Sequence, residues 1–197
     1  ESGHATMPVT LGSVGNWTLT VRDLTDESVA SMTAVPINVL SSSPDFVIDT
    51  VTGPLTAGEP VTVTIRTNSP DGNLLEEYNG YAMLAADTGP QTIQPVNIQF
   101  TDGVWTGEVI FFGASDQTAF SCIDFASPPN IGTSEPFQVR PGAFAGLQVL
   151  LPGQENVGGR DPGHTGNPEE QEAGLPFALA VQAVDSWWNP VMDVDPS

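Results

Sequence analysis

Along this chain, apolar and polar residues alternate in short runs. Val61, Val63 and Ile65 alternate with Thr62, Thr64 and Arg66, and Phe177, Leu179 and Val181 with Ala178, Ala180 and Gln182. Trp17, Leu19 and Val21 alternate with Thr18, Thr20 and Arg22 in the same way. Successive side chains of an extended strand point to opposite faces, so each run predicts a strand with one face buried. No window of a dozen residues carries an apolar stripe at 3.6-residue spacing free of Gly and Pro, so no amphipathic helix is predicted. Short strands punctuated by Pro, Gly, Asn and Asp predict an all-β fold of antiparallel sandwiches. On this pattern Trp17 and Trp105 are core residues.

The chain repeats itself. Ala57-Gly58-Glu59-Pro60-Val61 matches Ala173-Gly174-Leu175-Pro176-Phe177 at an offset of 116, which also carries Val63 onto Leu179, Ile65 onto Val181 and Asn73 onto Asn189. Upstream, Phe46 aligned with Phe144 leaves the second copy 18 residues longer. The excess falls within 152–172, where glycines, prolines and carboxylates predict an exposed loop without a strand ladder. A second match joins Val35-Pro36-Ile37-Asn38-Val39 to Glu135-Pro136-Phe137-Gln138-Val139, with Trp17–Val21 aligned to Phe120–Asp124 upstream. Three units follow: closing strands of one sandwich (1–41), a complete sandwich (42–141), and opening strands of a third (142–197). The ends therefore belong to a longer tandem array, or complete a domain between them. Expected assembly residues are Trp17, Leu19, Val21, Ile37 and Val39 at one end, and Phe177, Leu179 and Val181 at the other.

Three segments carry a family resemblance: Ala57 to Ile65, then Pro70-Asp71-Gly72-Asn73-Leu74, then Tyr78-Asn79-Gly80. With the terminal stretch Gly132 to Val139, they resemble bacterial immunoglobulin-like repeat domains, the Big and invasin-like families of large surface and secreted proteins. The resemblance implies tandem immunoglobulin-like sandwiches in a stalk, spacer, adhesin or filament, and transfers no catalytic residue. Tryptophan stands in the second copy where Gly72 stands in the first, so a different turn is expected at Asp185–Asn189.

Charge narrows the partners. The chain of 197 residues holds 24 Asp and Glu against four arginines and no lysine, a formal net charge of −20. Nothing here could neutralise a run of phosphates, which excludes nucleic acid as a partner; an anionic membrane surface is excluded on the same ground. No apolar run reaches the length of a membrane-spanning helix. Chain-start residue Glu1, without methionine or apolar leader, reads as a mature or excised segment. The lysine-free acidic surface and the sequon Asn16-Trp17-Thr18 favour an extracellular or cell-surface location. Absence of lysine also excludes Lys–Asn isopeptide staples.

Catalytic chemistry finds no footing. Asp87-Thr88-Gly89 is the triplet of an aspartic protease, but that chemistry needs a second carboxylate and no second triplet exists. There is no Gly-x-Ser-x-Gly elbow, and His4 and His164 have no second ligand at metal spacing. Cys122 is a lone, strand-borne small hydrophobe with no basic neighbour to activate it. Two features invite a ligand. Asp185, Asn189, Asp193 and Asp195 offer four oxygen-bearing side chains on one strand–turn–strand, suited to calcium. Trp187-Trp188, if extended, sends one ring to the core and exposes the other to a glycan or a neighbour. The expected function is a non-enzymatic structural unit of an extracellular filament, surface layer or stalk, partnered by itself head to tail or by neighbouring repeats. The alternative is a carbohydrate-binding or adhesive module.

Overall fold

The computed structural model describes residues 6–9, 11, 15–26, 28–39, 44–89 and 91–191. Every regular element among them is a strand. The first unit comprises β1 (Gly15–Trp17), β2 (Thr20–Val21), β3 (Met32–Thr33) and β4 (Ile37–Val39). The second comprises β5 (Asp45–Ile48), β6 (Leu55–Thr56), β7 (Pro60–Asn68), β8 (Tyr81–Ala86), β9 (Ile93–Gln94), β10 (Asn97–Gln99), β11 (Val104–Phe111), β12 (Ser115–Thr118), β13 (Phe120–Asp124), β14 (Ile131–Thr133) and β15 (Phe137–Arg140). The third comprises β16 (Gly146–Leu150), β17 (Glu155–Asn156), β18 (His164–Thr165) and β19 (Ala180–Val184).

The middle unit is the folded core of the molecule. One sheet runs β5-β7-β11-β9, a second β10-β8-β13-β14, and a short third β12-β15-β6, whose β6–β15 pairing is the parallel one among the described ladders. Period-2 alternation in β7 places Val63, Ile65 and Thr67 inward, as expected. Val63 and Ile65 meet Leu84 and Ala82 of β8, Val109 and Phe111 of β11, and Phe120 and Cys122 of β13 in one cluster running from Phe46 to Val139. Phe111 meets Phe137 edge-on at 5.0 Å, and Phe46 lies 5.4 Å from Phe100. Trp105 packs partly buried against this core. At roughly 25 cal/mol per Å² of apolar area, a cluster of this size is the main stabilising term.

The flanking units reproduce parts of the middle one, ladder for ladder. In the first, Gly15 pairs with Val39 and Trp17 with Ile37, as Ser115 pairs with Val139 and Thr118 with Phe137. Thr20 pairs with Thr33 as Ser121 does with Thr133, and both pairs join their hydroxyls, at 2.9 and 3.0 Å. The Ala34 N–H donates to Leu19 O as Ser134 N–H does to Phe120 O. Asp23 Oδ1 accepts from the Thr25 and Asp26 N–H groups, as Asp124 Oδ1 does from Ala126 and Asn130. These ladders correct the sequence alignment by two residues: Val21, not Leu19, is the counterpart of Cys122. They also break the expected strand Trp17–Val21 at Thr18 and Leu19, where the middle unit has its own break between β12 and β13. Trp17 is exposed, contrary to the core expectation, because no described sheet covers β1.

In the third unit, β16 pairs with β19 as β5 pairs with β7. Leu147 faces Ala183 as Phe46 faces Thr67, so Leu147 rather than Phe144 is the counterpart of Phe46, and the insertion shortens from 18 to 15 residues. The strand expected from Phe177 begins only at Ala180; Phe177 and Leu179 precede it, and both are exposed with Val181. The insertion differs from the loop expected. Its residues 155–165 form the small β17–β18 hairpin, with Glu155 opposite Thr165 and Asn156 opposite His164. That hairpin seals the outer face of β16, where Gln148 is buried and holds Gly163 O, Asn156 and Gln182.

Candidate functional site

The two tryptophans sit in a turn, which changes what they can do. Asp185 N–H donates to Asn189 O, as Ser69 N–H does to Asn73 O. Trp188 N–H donates to Asp185 O as Gly72 N–H does to Ser69 O, and Val191 to Ala183 as Leu75 to Thr67. The expectation of a different turn is therefore corrected: the second copy keeps the same turn, with Trp188 at φ 65° where Gly72 has φ 80°. A non-glycine residue in that region is strained by Cβ crowding. Because the pair is not extended, the opposite-face expectation fails as well, and both residues line one cleft.

What holds Trp188 there is a set of contacts that the first copy lacks. Trp188 Nε1 donates to Asp161 Oδ1 at 3.0 Å, and Asn156 Nδ2 donates to Trp188 O at 2.9 Å. The ring lies against Gly163, where any Cβ would come within 2.3 Å of it. Trp187 packs on Phe112 with ring centroids 4.2 Å apart, and its carbonyl accepts from Gly159 N–H at 2.6 Å.

Beneath the rings, Asp185 and Asn189 form a buried latch onto the middle unit. Asp185 Oδ1 accepts from the N–H groups of Trp187 (2.8 Å) and Asn189 (2.9 Å). Its Oδ2 accepts from Gly142 N–H (2.7 Å) and Asn189 Nδ2 (2.9 Å). Asn189 Nδ2 also donates to Phe112 O at 2.8 Å, and Asn189 Oδ1 accepts from Ala114 N–H at 2.9 Å. Four donors use the capacity of a carboxylate, so two of the four side chains expected to ligate calcium are spent on joining the two units. Asp193 and Asp195 lie outside the described residues, and among those described no group of three or more His, Cys, Asp or Glu could hold a metal.

The cleft above the latch has a volume of about 390 Å³. Phe112, Trp187 and Trp188 give it aromatic walls; Gln91, Gln94, Arg160, Asp161 and Ser186 supply its polar rim. The sequence pointed to the tryptophans but not to Phe112, Gln91 or Gln94, which come from the middle unit and are joined to the turn by the latch and by the Phe112–Trp187 ring contact. Arg160 could have been noticed as one of four cations in an acidic chain.

Elsewhere the candidates are structural. Cys122 is fully buried, and burial followed by the Asp124 charge pushes its thiol up to about 12. His164 Nδ1 contacts Gln154 Nε2 at 3.2 Å, and Asp87-Thr88 lies in a turn; His4 and the side chain of Val39 are outside the described set.

No family model and no curated protein matches this chain. Among solved structures it superposes on the S-layer protein SbsC. With the crystal structure of residues 31–844, identity is 16% and the TM-score 0.37 over 92% of this chain. With domains 4–9, identity is 18% and the TM-score 0.38, again over 92%. With domains 4 and 5 the values are 14% and 0.37 over 63%. This chain spans about a fifth to a quarter of the first two. Superpositions this loose set neither family nor function.

Proposed function

We propose that this chain is a non-enzymatic structural segment of an extracellular or cell-surface assembly, built from tandem immunoglobulin-like sandwiches. The observation that carries this reading is the exposure of both ends. Val21, Met32 and Val35 at one end, and Leu147, Leu179 and Val181 at the other, are more than half exposed, whereas the counterparts Cys122, Phe46, Val63 and Ile65 are buried. Apolar faces and open strand edges of this size drive association.

Adjacent polypeptide, either a flanking repeat or another copy, covers these faces in the assembled state. The edge of β19 that corresponds to the β11-bound edge of β7 receives the added strand. Among the described residues the two ends supply counterparts of β5, β7 and β12–β15 but none of β6 or β8–β11, so mutual completion of the ends, as the sequence suggested, leaves a sandwich without its central strands. A tandem array supplies them in full. The acidic, lysine-free surface suits an extracellular setting, and head-to-tail contact that does not close into a ring extends into a rod.

Analytical ultracentrifugation and electron microscopy of residues 1–197 beside residues 42–141 test this. The middle unit alone should be a folded monomer, and the full chain should associate through its ends. A full chain that stays monomeric at high concentration, with Leu179 and Val21 freely solvated, would overturn the reading.

A further inference from the structure

We propose that the cleft formed by Phe112, Trp187, Trp188, Gln91, Gln94 and Arg160 binds a saccharide that carries a carboxylate. Its volume of about 390 Å³ falls in the range of small-molecule sites, about 300–1,000 Å³, and such sites combine apolar walls with a few convergent polar groups. Indole faces suit the flat C–H face of a pyranose ring, which is amphipathic in the way that tryptophan is. The exposed amides of Gln91 and Gln94 make no side-chain hydrogen bond among the described residues and are free to meet hydroxyls.

Arg160 selects the charge. It is half-buried at the cleft, and among the described residues the only ion pair is Arg66 with Asp49. The other charged group of the cleft, Asp161, has one oxygen committed to Trp188 Nε1. A guanidinium offers a planar fork that fits a carboxylate with two parallel hydrogen bonds. Repulsion from the distant carboxylates of this acidic chain is screened beyond about 8 Å at physiological salt.

Backbone strain marks the same place. Of the three non-glycine residues with positive φ among those described, Gln91 and Trp188 both line the cleft. The first copy shows that glycine makes this turn with nothing within 4 Å of it, so the turn alone does not call for a tryptophan. Strain of this kind gathers at ligand sites, where surrounding contacts hold it in place.

The test titrates the full chain with oligogalacturonate, a neutral cello-oligosaccharide of equal length and an oligoglutamate peptide, read by calorimetry and tryptophan fluorescence. Arg160→Gln removes a side chain that has no ion pair or hydrogen bond among the described residues, and Trp188→Gly keeps the turn while removing the ring. Saturable binding of the uronate oligomer is expected, weakened at least tenfold by Arg160→Gln and lost in Trp188→Gly. Absence of saturable binding, equal binding of the neutral oligomer or the peptide, or an unchanged affinity in Arg160→Gln would each overturn the proposal.

Discussion

The middle sandwich and the two ends place like residues in opposite surroundings. Ile65 is fully buried while its counterpart Val181 is 54% exposed; Cys122 is fully buried while Val21 is 67% exposed. One ladder of each pair is the same, down to the hydroxyl pairs Thr20–Thr33 and Ser121–Thr133, while the second ladders, Ile65 to β11 and Cys122 to β8, have no described counterpart at the ends. Strand pairing between sequence neighbours therefore forms from local pattern, and burial waits for a second sheet. In the middle unit the sheets β5-β7-β11-β9 and β10-β8-β13-β14 cover each other; at the ends nothing described does. The paired turns differ in the complementary way. Ser69–Asn73 and Asp185–Asn189 share one hydrogen-bond pattern, but only the second grips a neighbouring unit.

If that contrast is sound, matched substitutions should have unequal effects. Ile65→Ala should cost about 2–5 kcal/mol in urea unfolding, through lost transfer energy and the cavity left behind. Val181→Ala should stay within about 0.5 kcal/mol. Equal losses would mean that the third unit is covered as well as the middle one.

Asp185→Ala should cost about 2–3 kcal/mol, because it strands the buried N–H groups of Gly142 and Trp187 and the amide of Asn189. The loss should appear as faster hydrogen exchange across β16 and β19, with β7 and β11 unaffected. At the matched turn, Ser69 is buried but its hydroxyl makes no hydrogen bond among the described residues, so Ser69→Ala should cost less than about 1 kcal/mol.

Gly72→Ala meets nothing within 4 Å, so its cost is the left-handed backbone alone, about 1 kcal/mol in thermal unfolding. Trp188→Gly relieves the same strain but gives up the ring packing on Gly163, so the net change should be smaller than about 1 kcal/mol in either direction. A large loss there would show that the ring holds the third unit together.

The weakest effect near neutral pH concerns Cys122. Its thiol sits at about 12 in the folded chain against 9.0 as the ordinary value. The unfolded chain therefore ionises first, and stability should fall as pH rises from 9 towards 12 while staying flat below pH 8. Cys122→Ala should remove that slope. A cysteine placed at Val21 should react readily with a thiol reagent at pH 8, where Cys122 does not.

Alternation at Val61–Ile65, the match at offset 116 and the all-β class were legible in the sequence because strand periodicity and turn chemistry are local. Register was less so: a two-residue shift keeps every side chain on its own face, which is why Val21 rather than Leu19 could fall opposite Met32 without disturbing the pattern. Trp17 matched a core pattern, yet burial depends on a covering sheet that pattern alone cannot supply. The turn at Trp188 defied its residue type, since Asp161, Asn156 and Gly163 supply from afar what glycine would supply by itself. The cleft was decided wholly by tertiary structure. Its walls come from residues about 75 positions apart, Phe112 and Trp187, and Asn189, held by the buried carboxylate of Asp185, brings them together through hydrogen bonds to Phe112 O and from Ala114 N–H that only the folded neighbour can supply.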